Sequence, residues 1–142
     1  MTVESDADQL TAGHDLRGSV DMARTIGQPV GTVWQALISP QGTGIWLGEG
    51  AVLGGKGESY HCTDGTTGVV RSYHPLEQLR VSWHADDYAP ATLIEVDLEP
   101  DGDSTMLRVH HDGIPDAGQR AALESRWSSR LDDLVAYASG MG

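Results

Sequence analysis

The stretch VGTVWQALISPQGTGIW, residues 30–46, decides how the rest of the chain is read. Val30, Val33, Trp34 and Leu37 recur at the three-to-four-residue spacing that gives a helix one apolar face. Pro29 sits where such a helix can begin, because its ring fixes φ near the helical value. Pro40 cannot continue the helix, lacking an amide proton and clashing with the turn before it. Residues 45–47, around Trp46, are expected to form a second short helical turn.

Upstream, residues 19–26 (SVDMARTI) alternate, placing Val20, Met22 and Ile26 on one face of a strand. Downstream, the glycine-rich residues 48–57 (GEGAVLGGKG) read as a loop with one short strand at 51–53. Strands are then expected at 58–63, 67–74, 78–84, 92–98 and 105–111. Asp64-Gly65, Pro75-Leu76-Glu77 and Pro100-Asp101-Gly102-Asp103 supply turn chemistry between them. The period then changes: Ala121, Leu123, Trp127, Leu131, Leu134, Val135 and Ala138 form one helical stripe, ended by Gly140. Arg120, Glu124, Arg126, Arg130 and Asp132 are expected on its wet side. Short connections make neighbouring strands antiparallel, so the expected class is α+β: a seven-stranded antiparallel sheet curled around a long C-terminal helix, with two short helices after the first strand.

The chain's 142 residues suit a single domain at 17–142, preceded by a flexible acidic arm at 1–16. That arm has neither a basic start nor an apolar run, so it does not read as a signal peptide. Twenty-one acidic residues against nine basic give a net charge of −12, which opposes nucleic acid and anionic membrane surfaces alike. No apolar run approaches the ~20 residues of a membrane span. One cysteine, Cys62, excludes an internal disulfide, and a cytoplasmic home is expected.

Several loose motifs occur in order. They are Ile26-x-x-Pro29-Val30-x-x-Val33-Trp34-x-Ala36-Leu37-x-x-Pro40 with Trp46, Asp64-Gly65-x-x-Gly68-Val69-Val70, and Leu79-x-Val81-Ser82-Trp83. Leu98-Glu99-Pro100, Thr105-x-Leu107, His111-x-Gly113 and Trp127-x-x-x-Leu131-x-x-Leu134 follow. Together they resemble the activator-of-heat-shock-protein-90-ATPase-homologue-like family of the START/Bet v 1-like (SRPBCC) superfamily. The resemblance implies a helix-grip fold, often enclosing an apolar cavity for lipids, polyketides or other aromatic molecules. Some relatives are polyketide cyclases or aromatases and others only bind.

Strand alternation puts Leu79, Val81 and Trp83 on one face, and likewise Thr92, Ile94, Val96 and Leu98. Thr105, Leu107, Val109 and His111 form a third inward set; Tyr60 pairs with Cys62, and Gly68 with Val70 and Ser72. The candidate ligand-binding residues are therefore Tyr60, Val70, Trp83, Ile94, Val96, Val109 and His111 from strands, with Trp46, Trp127 and Leu131 from helices. With no phenylalanine in the chain, its four Trp and four Tyr must also supply the core's aromatic bulk, so packing accounts for Trp34 better than ligand contact does, and for Trp46, Trp83 and Trp127 about as well.

His111 is the one candidate for catalysis, since imidazole titrates near neutrality, although Asp112 beside it should point to the opposite face. The polar runs His84-Ala85-Asp86-Asp87 and His110-His111-Asp112 match no zinc spacing, and neither metal nor cofactor is expected. The leading expectation is a monomeric or homodimeric binding protein for a hydrophobic small molecule. The alternatives are a polyketide cyclase/aromatase-type enzyme using His111, Tyr60 or Ser72 to move protons, and a co-chaperone-like or regulatory interaction domain.

Overall fold

The computed structural model describes residues 18–85 and 90–141. Strand β1 (Gly18–Ile26) leads into α1 (Val30–Ile38) and α2 (Pro40–Trp46). Strands β2 (Ser59–His61), β3 (Thr67–His74), β4 (Gln78–Trp83), β5 (Thr92–Asp101) and β6 (Ser104–Ile114) follow. Helix α3 (Ala117–Ser139) ends the described chain. The sheet runs β1-β6-β5-β4-β3-β2 and every pairing is antiparallel. Pairing the first strand with the last leaves α1 and α2 to cross from one side of the sheet to the other. Helix α3 then packs on β1, α2 and α1, and buries Trp127, Leu131, Leu134 and Ala138.

The α1–α2 junction follows from the Ser39-Pro40 pair. The Ser39 hydroxyl donates to the Ala36 carbonyl at 2.9 Å and accepts the Gly42 amide at 3.0 Å, ending one helix and capping the next. Proline at the first helical position sacrifices an amide that would have no intrahelical partner. Pro40 therefore starts a two-turn helix, longer than the turn read from residues 45–47. At the other end of the chain, Asp116 caps α3 by accepting the Gln119 amide at 2.8 Å.

Six strands form among the described residues, where seven were expected. The missing one is 51–53. Its backbone groups are used locally: the Ala51 amide donates to Gly48, and the Ala51 carbonyl accepts the Thr43 hydroxyl at 2.6 Å. Gly48 and Gly50, at φ +150° and +89°, turn the chain before it can extend beside a neighbour. Two bulges also shift the register. Val70 pairs with Val81 but Ser72 pairs with Arg80, so Arg71 is extra on β3 and the faces exchange beyond it. Tyr73, not Ser72, then turns inward and meets Trp34 edge-on, with ring centroids 5.5 Å apart. The expected Gly68, Val70, Ser72 face thus breaks at Ser72. A second irregularity, opposite Gly18 and Val20, lets Ile114 rejoin the core, extending β6 past the expected end at residue 111.

No helix of the described chain is long and apolar enough to cross a membrane. The expected arm, 1–16, lies outside the described residues, as do Asp86 and Asp87.

Candidate functional site

The expected lining residues converge on one face of the sheet. Val70, Ile94, Val96 and Val109 rise from the strands; Trp46, Tyr60, Trp127 and Leu131 close over them, all buried in a single apolar cluster. Trp83 is half-buried at the border of that cluster. His111 lies among them with 1% of its surface exposed.

At one corner the rings touch in sequence. Trp46 stacks on Trp127 with centroids 6.4 Å apart; Trp127 meets His111 edge-on at 6.1 Å; His111 meets Trp83 edge-on at 5.3 Å. Such offset and T-shaped contacts set the positive ring edge against the negative face.

The hydrogen bonds at this corner have only one self-consistent direction. Indole nitrogen can only donate, so Trp127 Nε1–H donates to His111 Nδ1 at 3.0 Å and that nitrogen carries no proton. The imidazole proton must sit on Nε2, which donates to Thr92 Oγ1 at 2.7 Å. The Thr92 hydroxyl in turn donates to the Trp83 carbonyl at 3.0 Å. The relay uses both ring nitrogens. Burial, reinforced by the charge of Arg126 and then of His110, pulls the imidazole down to about 4, with Asp112 opposing. His111 is therefore neutral at physiological pH. Its neighbour His110 faces outward and bonds Asp21, as alternation requires.

Tyr60 and Trp46 are tied down in the same manner. The Tyr60 hydroxyl donates to the Ser82 carbonyl at 2.7 Å, and burial pushes the phenol well above its usual range. The ring fits because residue 68 is glycine; a Cβ there would run into Tyr60 and the Ser82 carbonyl. Trp46 Nε1–H donates to the Leu37 carbonyl at 2.9 Å, joining the end of α1 to α2. Cys62 is buried, and burial first, then Asp64, pushes its thiol up, so it stays protonated. Among the described residues, no three His, Cys, Asp or Glu side chains are placed to hold a metal.

The sequence reading missed Arg126 and Arg130. Both leave the wet side expected of them and reach across to α2, where Arg126 donates to the Leu47 carbonyl at 3.2 Å and Arg130 to the Ile45 carbonyl at 2.9 Å. These carbonyls lie at the negative end of a helix, where a cation is favoured. The Arg126 guanidinium also lies 5.5 Å from the centroid of the Trp83 ring. Helical periodicity places both residues beside the apolar stripe; only the position of α2 shows which way they bend.

An antiparallel sheet with a long C-terminal helix laid across it and two short helices near one end defines a helix-grip protein of the START/Bet v 1-like class. The chain belongs to the family described as Activator of Hsp90 ATPase homolog 1-like protein, whose profile matches residues 28–139. Among solved structures it resembles DynU16, from the dynemicin biosynthetic locus, at 22% identity and a TM-score of 0.74 over 84% of this chain. The match spans 46% of DynU16, less than half of that protein. CalU16 from Micromonospora echinospora is also 22% identical, with a TM-score of 0.73 over 85% of this chain and 76% of that one. The Aha1 dimer from Colwellia psychrerythraea is 18% identical, with a TM-score of 0.72 over 86% of this chain and 96% of that one. At these identities the likeness shows the fold. Among proteins of curated function, none matches the sequence.

Proposed function

We propose that the chain is a small-molecule binding protein whose inner sheet face, covered by α3, receives a hydrophobic or aromatic ligand such as a lipid or a polyketide-like molecule. The observation that carries this reading is the closure of hydrogen bonds around the aromatic corner: Trp46, Tyr60, Thr92, His111 and Trp127 all spend their polar atoms within the chain. A molecule meeting this surface finds ring faces and branched aliphatic groups, the usual composition of a small-molecule site. Trp46, Trp83 and Trp127 provide the rings, and Val70, Ile94, Val96, Val109 and Leu131 the aliphatic floor and cover. Tyr60 and His111 hold the shape of the site. Because these side chains already touch one another, a ligand takes its place by displacing part of this packing.

The polyketide cyclase/aromatase reading lacks its proton carriers in this arrangement. Both ring nitrogens of His111 and the hydroxyl of Tyr60 are already engaged in hydrogen bonds within the chain, and Ser72 lies in register with Arg80 on the outer face. The interaction-domain reading would call for a large exposed apolar patch; the large apolar residues exposed among those described are Val52, Leu76, Leu93 and Met141.

Native mass spectrometry, followed by titration with the neutral fluorophore N-phenylnaphthylamine, tests the proposal. The expected result is saturable energy transfer from tryptophan, lost in Leu131→Trp, where added bulk fills the site, in a protein that still unfolds cooperatively. Absence of both a co-purifying mass and saturable transfer overturns it.

A further inference from the structure

Helix α3 carries two guanidinium groups beside the aromatic corner, and neither has a carboxylate within ion-pair distance among the described residues. Arg126 is half-buried, lies over Trp83, and gives one N–H to Leu47; Arg130, one turn further on, gives one N–H to Ile45. Capping α2 explains those two bonds. It does not occupy the guanidinium groups, each of which has five N–H donors. Asp64 is the acidic residue whose field reaches Arg126, but its Oδ1 accepts the Thr66 amide at 2.9 Å and is held in its own turn. Two neighbouring cations, partly desolvated and without a carboxylate partner among the described residues, are costly unless an anion is supplied. The same Arg126 charge reaches Tyr60, Cys62 and His111, so it stands at the corner where the rings meet.

We propose that Arg126, with Arg130 behind it, forms an anion-binding lip on the inner-face site, and that the ligand is an amphipathic carboxylate: an apolar or aromatic body against Trp46, Trp83 and Trp127, with its head group on the unused donors of Arg126. This rests on the reading of the inner face as a ligand site. The net charge of −12 repels such a ligand at a distance. Screening confines that repulsion to about 8 Å at physiological salt, so the adjacent cations decide the contact. The planar guanidinium fork suits a carboxylate, which it can hold through two parallel bonds.

The test compares acids with their neutral counterparts in calorimetric titrations of the full chain: decanoate against decanol, and naphthaleneacetate against naphthaleneethanol. The wild-type protein is expected to bind at least one acid about tenfold more tightly than its alcohol, the preference that a single charge-assisted hydrogen bond confers. Arg126→Gln should abolish that preference, bringing the acid-to-alcohol ratio to about one whatever the change in alcohol affinity. Arg126→Lys, which keeps the stem and charge and serves as the check should glutamine loosen the helix, should retain a reduced preference. An acid-to-alcohol ratio near one in the wild type, or a ratio unchanged in both variants, overturns the anion-binding lip and leaves the inner-face reading standing. No binding by any of the four probes overturns the lip, and overturns the inner-face reading as well only if the co-purifying mass and the saturable fluorophore transfer are also absent.

Discussion

The two faces of the sheet are built from the same strands and handle polar groups in opposite ways. On β5, Thr92, Ile94, Val96 and Leu98 turn inward and are buried, while Glu95 and Asp97 turn outward. The outer residues form a charged ladder: Arg80 bonds Glu95 at 2.8 Å, Gln78 bonds Asp97 at 2.9 Å, and His110 bonds Asp21. Alongside lies an open cleft of about 470 Å³, edged by Asp21, Glu95, Asp97, Arg108 and His110. Glu95 and Asp97 share one neighbourhood there, and burial pushes Asp97 up while its hydrogen bond holds Glu95 down. On the inner face the polar groups are few and buried, and Trp127, His111 and Thr92 are joined in a directed relay. Hydrogen bonds of similar length thus differ in worth, because water can replace an outer partner and cannot replace an inner one.

The strongest challenge to that contrast is Trp127→Ala. It removes a large buried side chain and strips His111 of its donor, and should cost about 3–5 kcal/mol in urea unfolding. A loss below about 1 kcal/mol would show that the inner relay is no more valuable than the outer ladder.

Acid should weaken the inner face next. His111 falls from the ordinary 6.5 to about 4 on folding. Above pH 6.5 both folded and unfolded chains hold it neutral, so its contribution to stability is fully present. As pH falls from there towards 4, the unfolded chain takes up a proton that the folded chain refuses, and stability drops by about 3 kcal/mol in all. Denaturation at a series of pH values should show this slope, and His111→Gln, which keeps a donor and an acceptor but cannot titrate, should remove that component.

Gly68→Ala sharpens the comparison at smaller scale. One methyl group pressed against Tyr60 and the Ser82 carbonyl should cost about 1–3 kcal/mol, measurable as a lowered Tm. The smallest effect belongs outside. A double-mutant cycle on Arg80 and Glu95, both partly exposed, should give a coupling of about 0–1 kcal/mol that shrinks further in high salt.

Much of this was written in the order of residues. The apolar spacing of residues 30–37, the proline at 40, the strand alternation after 58 and the change of period before α3 determined the element order and the helix-grip class. The inward placement of Ile94, Val96, Val109, His111, Trp127 and Leu131 followed from the same periodicities, because side-chain direction in a strand or helix is a local property. What lay beyond local reading arose wherever a backbone or side-chain group chose between partners distant in sequence. Residues 51–53 look like a strand, but the Thr43 hydroxyl takes the Ala51 carbonyl. The bulge at Arg71 turns Ser72 away and Tyr73 inward, and a change of register leaves no mark on composition. His111 could be read as a base until Trp127 and Thr92 took its two nitrogens, and Arg126 and Arg130 as solvent-facing until α2 offered its carbonyl end. The sequence by itself determined which groups face inward; only the tertiary structure decided which of them remain chemically unspent, because hydrogen-bond saturation depends on neighbours brought together by folding.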